Sequence, residues 1–348
     1  MARLFFLVSG EHEDLPISEL TAVLEAEGYP FRILEKLDQV VRLAVDIASV
    51  ETVKRRAALT RACALELFTC AATIPRIIKA VRSLKIDTSL KDEESFVVRV
   101  SHVKEYSSEI NGMDLERQLG GLLLEMAPHA KVNLHGPSNT FLGVLTSKKF
   151  VFGLKLAEIP AKPFVERRPR KKPFFHPSAM QAKLARCMVN LAEPKAGELV
   201  LDPFCGTGSM LIEASLIGCR TVGLEVQRRM ARGSLRNMKQ LCTKPEGIIL
   251  GDARCLPLRK IDSVVTDPPY GISSTTLKRT TKQLVEQLFA AVHDLLPNGS
   301  RVCIASPKSL KIGQLGKAFG YRHVESHLVY VHRSLTREIA VFEKRLEK

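Results

Sequence analysis

No apolar run in this 348-residue chain reaches the length that crosses a membrane. The first residues, "MARLFFLVSGEHEDL", carry only a short apolar run with acids directly behind it, which is unlike a signal peptide, so a cytosolic protein is expected. Low-complexity segments are also lacking. With 45% hydrophobic and 26% charged residues, the composition does not suggest disorder, and a folded globular protein is expected. The cysteines at 63, 70, 187, 205, 219, 242, 255 and 303 form no C-x-x-C pair and have no matching histidine cluster. That absence argues against a structural zinc site, and the size and context argue against a disulfide framework. These cysteines are expected to be small buried hydrophobes, and no metal site is expected.

What the chain does have is length and a lopsided charge. Its 348 residues suffice for two or three separate cores. Residues 1–160 carry a net charge of −1 and residues 161–348 a net charge of +16, so the whole excess lies in the second part. Such a local excess points to a polyanionic partner held mainly by the C-terminal half, the alternative being solubility alone.

The first 50 residues alternate strand and helix signals. "RLFFLVSG" is an apolar run ending in Gly10, "LPISELTAVLEAEG" has a helical period closed by Gly28, and "VVRLAVDI" is a second strand. They define a small α/β region. Beyond it, "SVETVKRRAALT" and "IPRIIKAVRSLK" have helical patterns, "SFVVRVSHV" alternates as a strand, and "DLERQLGGLLLEM" is helical despite its paired glycines. Arg76, Lys79 and Arg82 share one helix face at i, i+3 and i+6, either a phosphate-contacting stripe or a solvated face. The succession of "SFVVRVSHV", "DLERQLGGLLLE", "KVNLHGPSNTFLGVL" and "FVFGL" resembles the THUMP domain of RNA-modifying enzymes over about residues 51–158. The resemblance implies an RNA grip, often on the acceptor end of tRNA, behind an N-terminal ferredoxin-like region at 1–50.

Residues 159–173 are rich in proline and base. Prolines stand at 160, 163, 169 and 173, with another at 177, around Arg167, Arg168, Arg170, Lys171 and Lys172. Proline at that density predicts a semi-rigid extended spacer, and its bases are candidates for phosphate contact, the alternative being a basic linker without RNA.

From residue 196 the sequence is "AGELVLDPFCGTGSMLIEASLIGCRTVGLEVQRRM". A short strand runs into Gly206-Thr207-Gly208 and then a helix, the order of nucleotide-binding α/β folds. The dinucleotide-binding fingerprint needs glycine or alanine three residues after Gly208. Position 211 is Leu, so the fingerprint of a dinucleotide-binding dehydrogenase fails. The string "LDPFCGTGSMLIEA" closely matches the first motif of S-adenosylmethionine-dependent methyltransferases. The match implies that Asp202 faces the charged amino-acid end of the cofactor. It also implies that Phe204, Cys205, Gly206, Thr207 and Gly208 line the turn, the glycines because a Cβ would collide with the cofactor. Glu225, ending "TVGLE", suits the two ribose hydroxyls, and Asp252 with Ala253, in "GDA", suits the adenine amino group. Most members have Asp where this chain has Glu225. Upstream, "FFHPSAMQAKLARCMVNLAE" resembles the segment that covers the cofactor, with Ser178 either a cofactor contact or the cap of the next helix. His176 is expected to pack rather than to act as a base.

"DSVVTDPPYGISSTT" is the second chemical signature. Val264, Val265 and Thr266 give the run strand character, and Pro268 and Pro269 make Asp267-Pro268-Pro269-Tyr270 a stiff corner at its carboxyl end, where ligands bind in open α/β sheets. "DPPY" arises by chance in roughly one chain of this length in several hundred. Methyltransferases acting on exocyclic base amines carry this motif at the end of the fourth strand. Such an amine is a poor nucleophile because its lone pair is delocalised into the ring. In that resemblance Asp267 and the Pro268 carbonyl each accept one N–H and aim the lone pair at the methyl, Pro269 stiffens the corner, and Tyr270 stacks on the base.

The order of motifs, with "YGISSTT" (Ser273, Ser274, Thr275, Thr276) and the late "VHRSLTREIAVF", most resembles archaeal tRNA guanosine-N2 methyltransferases acting at guanosine 10. Ser and Thr of that loop suit base or ribose edges or are loop filler. His332, Arg333 and Arg337 suit RNA contact or are exposed structural residues. The resemblance implies an α/β fold: a Rossmann-like, doubly wound class I methyltransferase sheet at 174–348, behind an N-terminal α/β, ferredoxin-like plus THUMP, RNA-binding half. It further implies S-adenosylmethionine as cofactor and tRNA as partner. Competing readings are a THUMP-bearing methyltransferase for another guanosine of tRNA or rRNA, a DNA adenine-N6 methyltransferase, and a non-catalytic RNA-binding protein. A thiouridine synthetase would need a phosphate-binding loop that the chain lacks. One transfer or two, a small activator protein and the oligomeric state stay open.

Overall fold

The computed structural model describes residues 1–85, 94–270, 280–333 and 335–345. The chain first forms β1 (Ala2–Val8), α1 (Leu15–Ala26), β2 (Arg32–Leu37), β3 (Val40–Val45), α2 (Ser49–Arg56), β4 (Thr60–Ala71), α3 (Ile74–Arg82), β5 (Ser95–His102), α4 (Gly112–Met126), β6 (Lys131–Val132), β7 (Asn139–Thr146) and β8 (Lys149–Glu158). It continues with α5 (Lys162–Glu166), α6 (Ala182–Leu191), β9 (Leu199–Asp202), α7 (Ser209–Leu216), β10 (Arg220–Glu225), α8 (Arg228–Gln240), β11 (Gly247–Leu250), β12 (Ser263–Thr266), α9 (Thr281–His293), β13 (Arg301–Pro307), α10 (Ile312–Lys317), β14 (Tyr321–His332) and β15 (Leu335–Lys344). Among the described residues no helix is long and apolar enough to cross a membrane.

The chain divides into two compact units. The first comprises Met1–Glu11, Tyr29–Lys54 and Thr60–Ile159; the second comprises His12–Gly28, Arg55–Leu59 and Pro160–Lys348. Within the first unit, eight strands form one mixed sheet in the order β2-β3-β1-β4-β8-β7-β5-β6. The expected break at residue 50 therefore does not separate two strand layers: β1 pairs antiparallel with both β3 and β4, with Leu4 opposite Leu43 and Leu65. The sheet's core is aromatic, with Phe141, Phe150 and Phe152 buried and stacked beside Ile77, Leu119 and Leu123 of the helices.

The second unit is a doubly wound sheet in the order β11-β10-β9-β12-β13-β15-β14. Its first five strands are parallel, β15 runs antiparallel to β13, and β14 pairs antiparallel with β15 and so runs in the direction of the first five. Parallel strands buried on both faces read as continuous apolar runs, as "SVVT" of β12 does, with all four residues buried.

Helix α1 belongs to this unit and not to the N-terminal region that its sequence position suggested. Its residues Leu15 and Ala22 join the core with Met188 and Leu191 of α6. A helix with apolar residues on most of its circumference gains more from enclosure than from one sheet face. Glu19, fully buried on it, accepts from the backbone N–H of Ala58 at 2.9 Å and Leu59 at 2.7 Å and from Asn190 Nδ2 at 2.8 Å. Burial raises its carboxyl above the ordinary range despite those donors.

The proline-rich segment is not an extended spacer. It forms α5 and a 3₁₀ turn over Pro169–Lys171, and buried Phe164 packs with Ala58 and Ala182. Of the eight cysteines, five are buried as expected, whereas Cys242 and Cys255 are exposed.

Candidate active site

The order of strands reverses between β9 and β12, which are parallel neighbours with Val264 opposite Leu201. Connections leave the sheet in opposite directions there, so a crevice opens at the carboxyl ends of the two strands. Asp202 ends β9 and Asp267 follows β12, and a single cleft is lined by both, together with Ser178, Met180, Gly206 and Thr207. The spacing in sequence between the two motifs thus becomes proximity in space.

Asp202 is buried, and its Oδ1 accepts from Thr266 Oγ1 at 2.7 Å and from the Phe204 N–H at 3.1 Å. Burial pushes its carboxyl up to about 7, the two donors opposing that rise. An acid so placed gains from a cation brought to it. The turn that follows is held from the next strand: the Cys205 N–H donates to Leu224 O at 2.9 Å, and the Gly206 N–H donates to Glu225 Oε2 at 3.1 Å. Glu225 also accepts from the Gln227 N–H at 2.8 Å, and burial raises its carboxyl.

Gly208 caps α7 with φ at +81°, and a Cβ there would lie 2.4 Å from Ser234 Oγ. The expectation that both glycines answer to the cofactor is therefore incomplete, since Gly208 is required by the chain's own packing. Gly206, at φ +50°, has nothing within 3.7 Å of an added Cβ.

Asp252, two residues past β11, accepts from Arg254 Nε at 2.9 Å and from the Arg254 N–H at 3.1 Å, and Ala253 is buried beside it. Ser178 does not cap a helix, because α6 begins at Ala182 with Gln181 as its N-cap. Instead its Oγ lies 2.7 Å from His176 Nδ1 at the rim of the cleft.

At the second acid the structure adds a partner. Arg337 of β15 places Nη2 3.0 Å from Asp267 Oδ2 and donates from Nε to the Tyr270 hydroxyl at 3.2 Å. Tyr270 in turn donates to Asp267 Oδ1. The guanidinium stands 5.7 Å from the Tyr270 ring centroid. Burial raises the Asp267 carboxyl, and Arg337 and then Tyr270 pull it back down. Burial, reinforced by Asp267, drives the Tyr270 hydroxyl far above its ordinary range, which keeps it a donor. A carboxylate has about four lone-pair sites, so Asp267 retains acceptor capacity beyond these two partners.

Asn237, fully buried on α8, was not singled out in the sequence. It accepts from the Phe174 N–H at 2.9 Å and donates to the carbonyls of Phe174 and Thr207, each at 3.0 Å. It pins the segment before the cleft to the glycine turn. The signal in the sequence is an uncharged amide three residues after Ser234 in the basic run "RRMARGSLRNMKQ".

The basic cluster divides. Arg167 turns inward, with Nε and Nη2 donating to buried Glu213 of α7 at 2.8 Å and 3.1 Å, while Arg186 reaches the same carboxylate at 2.9 Å. Lys172 is buried beside Ser209. Those two are corrected from surface contacts to interior ones, because Glu213, an acid within an apolar helix, needs cationic partners. Arg168, Arg170 and Lys171 are exposed, as are Arg76, Lys79 and Arg82 on α3. His332 and Arg333 are exposed as well. Ser273, Ser274, Thr275 and Thr276 lie outside the described residues. Among the described residues no group of three His, Cys, Asp or Glu side chains is arranged to hold a metal ion.

A doubly wound sheet with paired acids at its switch point defines a class I methyltransferase. Residues 169–339 match the family described as RMKL-like, methyltransferase domain, and residues 71–152 match the THUMP domain. The fold is that of TrmN from Thermus thermophilus, at 20% identity and a TM-score of 0.55 over 98% of this chain and 99% of that one. The chain is 36% identical to the tRNA (guanine(10)-N2)-dimethyltransferase of Methanothermobacter thermautotrophicus, over 98% of its own length and 99% of the relative's. To the protein of that name from Methanocaldococcus jannaschii it is 31% identical, over 97% and 99% respectively. The chain belongs to this tRNA (guanine(10)-N2)-dimethyltransferase family.

Proposed function

We propose that this protein methylates the exocyclic N2 of guanosine 10 in tRNA, in the cytoplasm, and that it transfers two methyl groups, in keeping with the word dimethyltransferase in the names of its relatives. The observation that carries the reading is the shared cleft of Asp202 and Asp267, one acid suited to the cofactor and one to the amine.

The residues fit S-adenosylmethionine. Asp202 offers a buried carboxylate to the ammonium of the methionine part, and Gly206 and Thr207 offer a side-chain-poor turn. Glu225 and Asp252, on the strand ends beyond, are assigned to ribose and adenine. When bound, that cofactor supplies an electrophilic methyl on a positively charged sulfur.

Asp267 and the Pro268 carbonyl accept the two N–H groups of the guanine amine, which localises the nitrogen lone pair and directs it at the methyl. Pro268 and Pro269 keep the acceptors fixed, so little reorganisation is needed during transfer. Arg337 and Tyr270 hold the Asp267 carboxylate ionised and oriented. The face of the Tyr270 ring turned away from Arg337 is assigned to stacking on the guanine. Each transfer costs the nitrogen one proton, which leaves along its hydrogen bond to the Asp267 carboxylate and on to solvent; after the first transfer one N–H remains, which a single acceptor still orients for the second. Exposed Arg76, Lys79 and Arg82, with Arg168, Arg170 and Lys171, are assigned to tRNA phosphates.

The test is transfer of labelled methyl from S-adenosylmethionine to an unmodified tRNA transcript by the protein and by Asp267→Ala, with the modified nucleoside identified by mass and position. Methylated N2 of guanosine 10 from the unmodified protein alone is expected. Label on rRNA or DNA, and none on tRNA, would overturn the substrate.

A further inference from the structure

Lys172 is 7% exposed, yet among the described residues its ammonium has one hydrogen-bond partner, Ser209 Oγ at 3.3 Å. A buried ammonium with three N–H groups and a single neutral acceptor is an unfavourable arrangement unless something else completes it. The acid that acts on it electrostatically is Glu213, but that carboxylate is already engaged by Arg167 and Arg186. Three cations therefore surround one anion. Desolvation accordingly lowers the Lys172 ammonium to about 8, with Glu213 opposing and Arg167 adding to the fall.

The position of this excess charge is specific. Ser209 donates its own proton to Met180 O at 3.2 Å, so its oxygen is left facing Lys172 as an acceptor. Ser209 and Met180 both line the cleft that holds Asp202 and Thr207. The methionine part of the cofactor is a zwitterion. Its ammonium suits Asp202, and its carboxylate requires a cation at the same end of the cleft.

We propose that Lys172 is the residue that receives the carboxylate of the cofactor's methionine moiety, with Ser209 orienting it. The inference rests on the cofactor reading above and extends it to a residue that the sequence had placed on the RNA surface. A charge-assisted contact made in a buried setting distinguishes ligands by about ten- to a hundredfold.

The test uses S-adenosylhomocysteine and its decarboxylated analogue, bound to the full-length protein by calorimetry without RNA. The unmodified protein is expected to prefer S-adenosylhomocysteine by about ten- to a hundredfold, Lys172→Met to lose most of that preference, and Lys172→Arg to keep much of it. Should Lys172→Met not fold, the preference in the unmodified protein, followed as pH rises through about 8, is expected to shrink as the free ammonium is lost. Equal affinities in the unmodified protein, or an undiminished preference in Lys172→Met or across that pH range, would overturn the assignment while leaving the cofactor reading intact. Failure to bind either compound would remove the cofactor reading and this inference with it.

Discussion

Replacing Arg337 by Met removes the cation that sits 3.0 Å from Asp267 Oδ2 and leaves the carboxylate with Tyr270. The pair is mostly shielded, with side chains 13% and 17% exposed, so neither full screening nor a dry interior describes it. Coulomb's law at an effective dielectric near 20 puts an upper bound of about 4 kcal/mol on charges some 4 Å apart. A hydrogen bond to a charged group contributes about 1.5–3 kcal/mol, which corresponds to about one to two pH units in the titration of the acid. The sign is set by the forces already on Asp267. Burial raises it and Arg337 lowers it, so loss of Arg337 raises it further. Protonation turns one Asp267 oxygen into a donor and leaves the other a weaker, neutral acceptor, so the amine is held less well for attack. The assay is the single-turnover rate of methyl transfer to tRNA against pH. The acid limb is expected to move upward by about one to two pH units in Arg337→Met and less in Arg337→Lys, with rates converging at high pH to within about tenfold. Affinity for S-adenosylhomocysteine, measured in parallel, reports on folding. An acid limb coincident with that of the unmodified protein would refute the claim that Arg337 governs the charge of Asp267.

Asp202→Asn is expected to stabilise the cofactor-free protein while weakening cofactor binding. The folded carboxyl titrates at about 7 against an ordinary 3.8, so its ionised form opposes folding above pH 7 and that penalty vanishes as pH falls toward 4. The gain, on the order of 2–4 kcal/mol at pH 8, should appear in thermal melts and be absent at pH 4. In tRNA binding, neutralising Arg168, Arg170 and Lys171 should flatten the dependence of affinity on salt, the slope falling by up to about one for each phosphate left without its cation. Arg167→Met should leave that slope unchanged and instead lower the melting temperature, since its guanidinium holds buried Glu213; an equal effect of both changes on the slope would sink the division of the cluster.

Much of the catalytic unit was legible because its signals are local. Glycines, prolines and acids sit at fixed distances from strand ends, and a strand, turn and helix specify their own geometry over about ten residues. Less of the N-terminal half could be read. "TRACALELFTCA" contains Ala, Leu and Glu, residues that favour helix, yet it forms β4 at the middle of the sheet, where β1 and β8 supply hydrogen bonds on both sides. "LPISELTAVLEA" was correctly a helix, but its pattern did not say which core would enclose it.

The sequence alone determined the two motifs, their order and the identity of the acids, because those depend on residue type and short-range backbone restriction. Tertiary structure decided the partners of those acids. Arg337 reaches Asp267 because β15 lies antiparallel to β13, which in turn lies parallel to β12. Lys172 and Arg167 look like surface bases until α7 presents Glu213 and Ser209 to them. Such contacts join residues tens of positions apart, and no local preference encodes them: they exist only once burial of the apolar strands has fixed the register of the sheet.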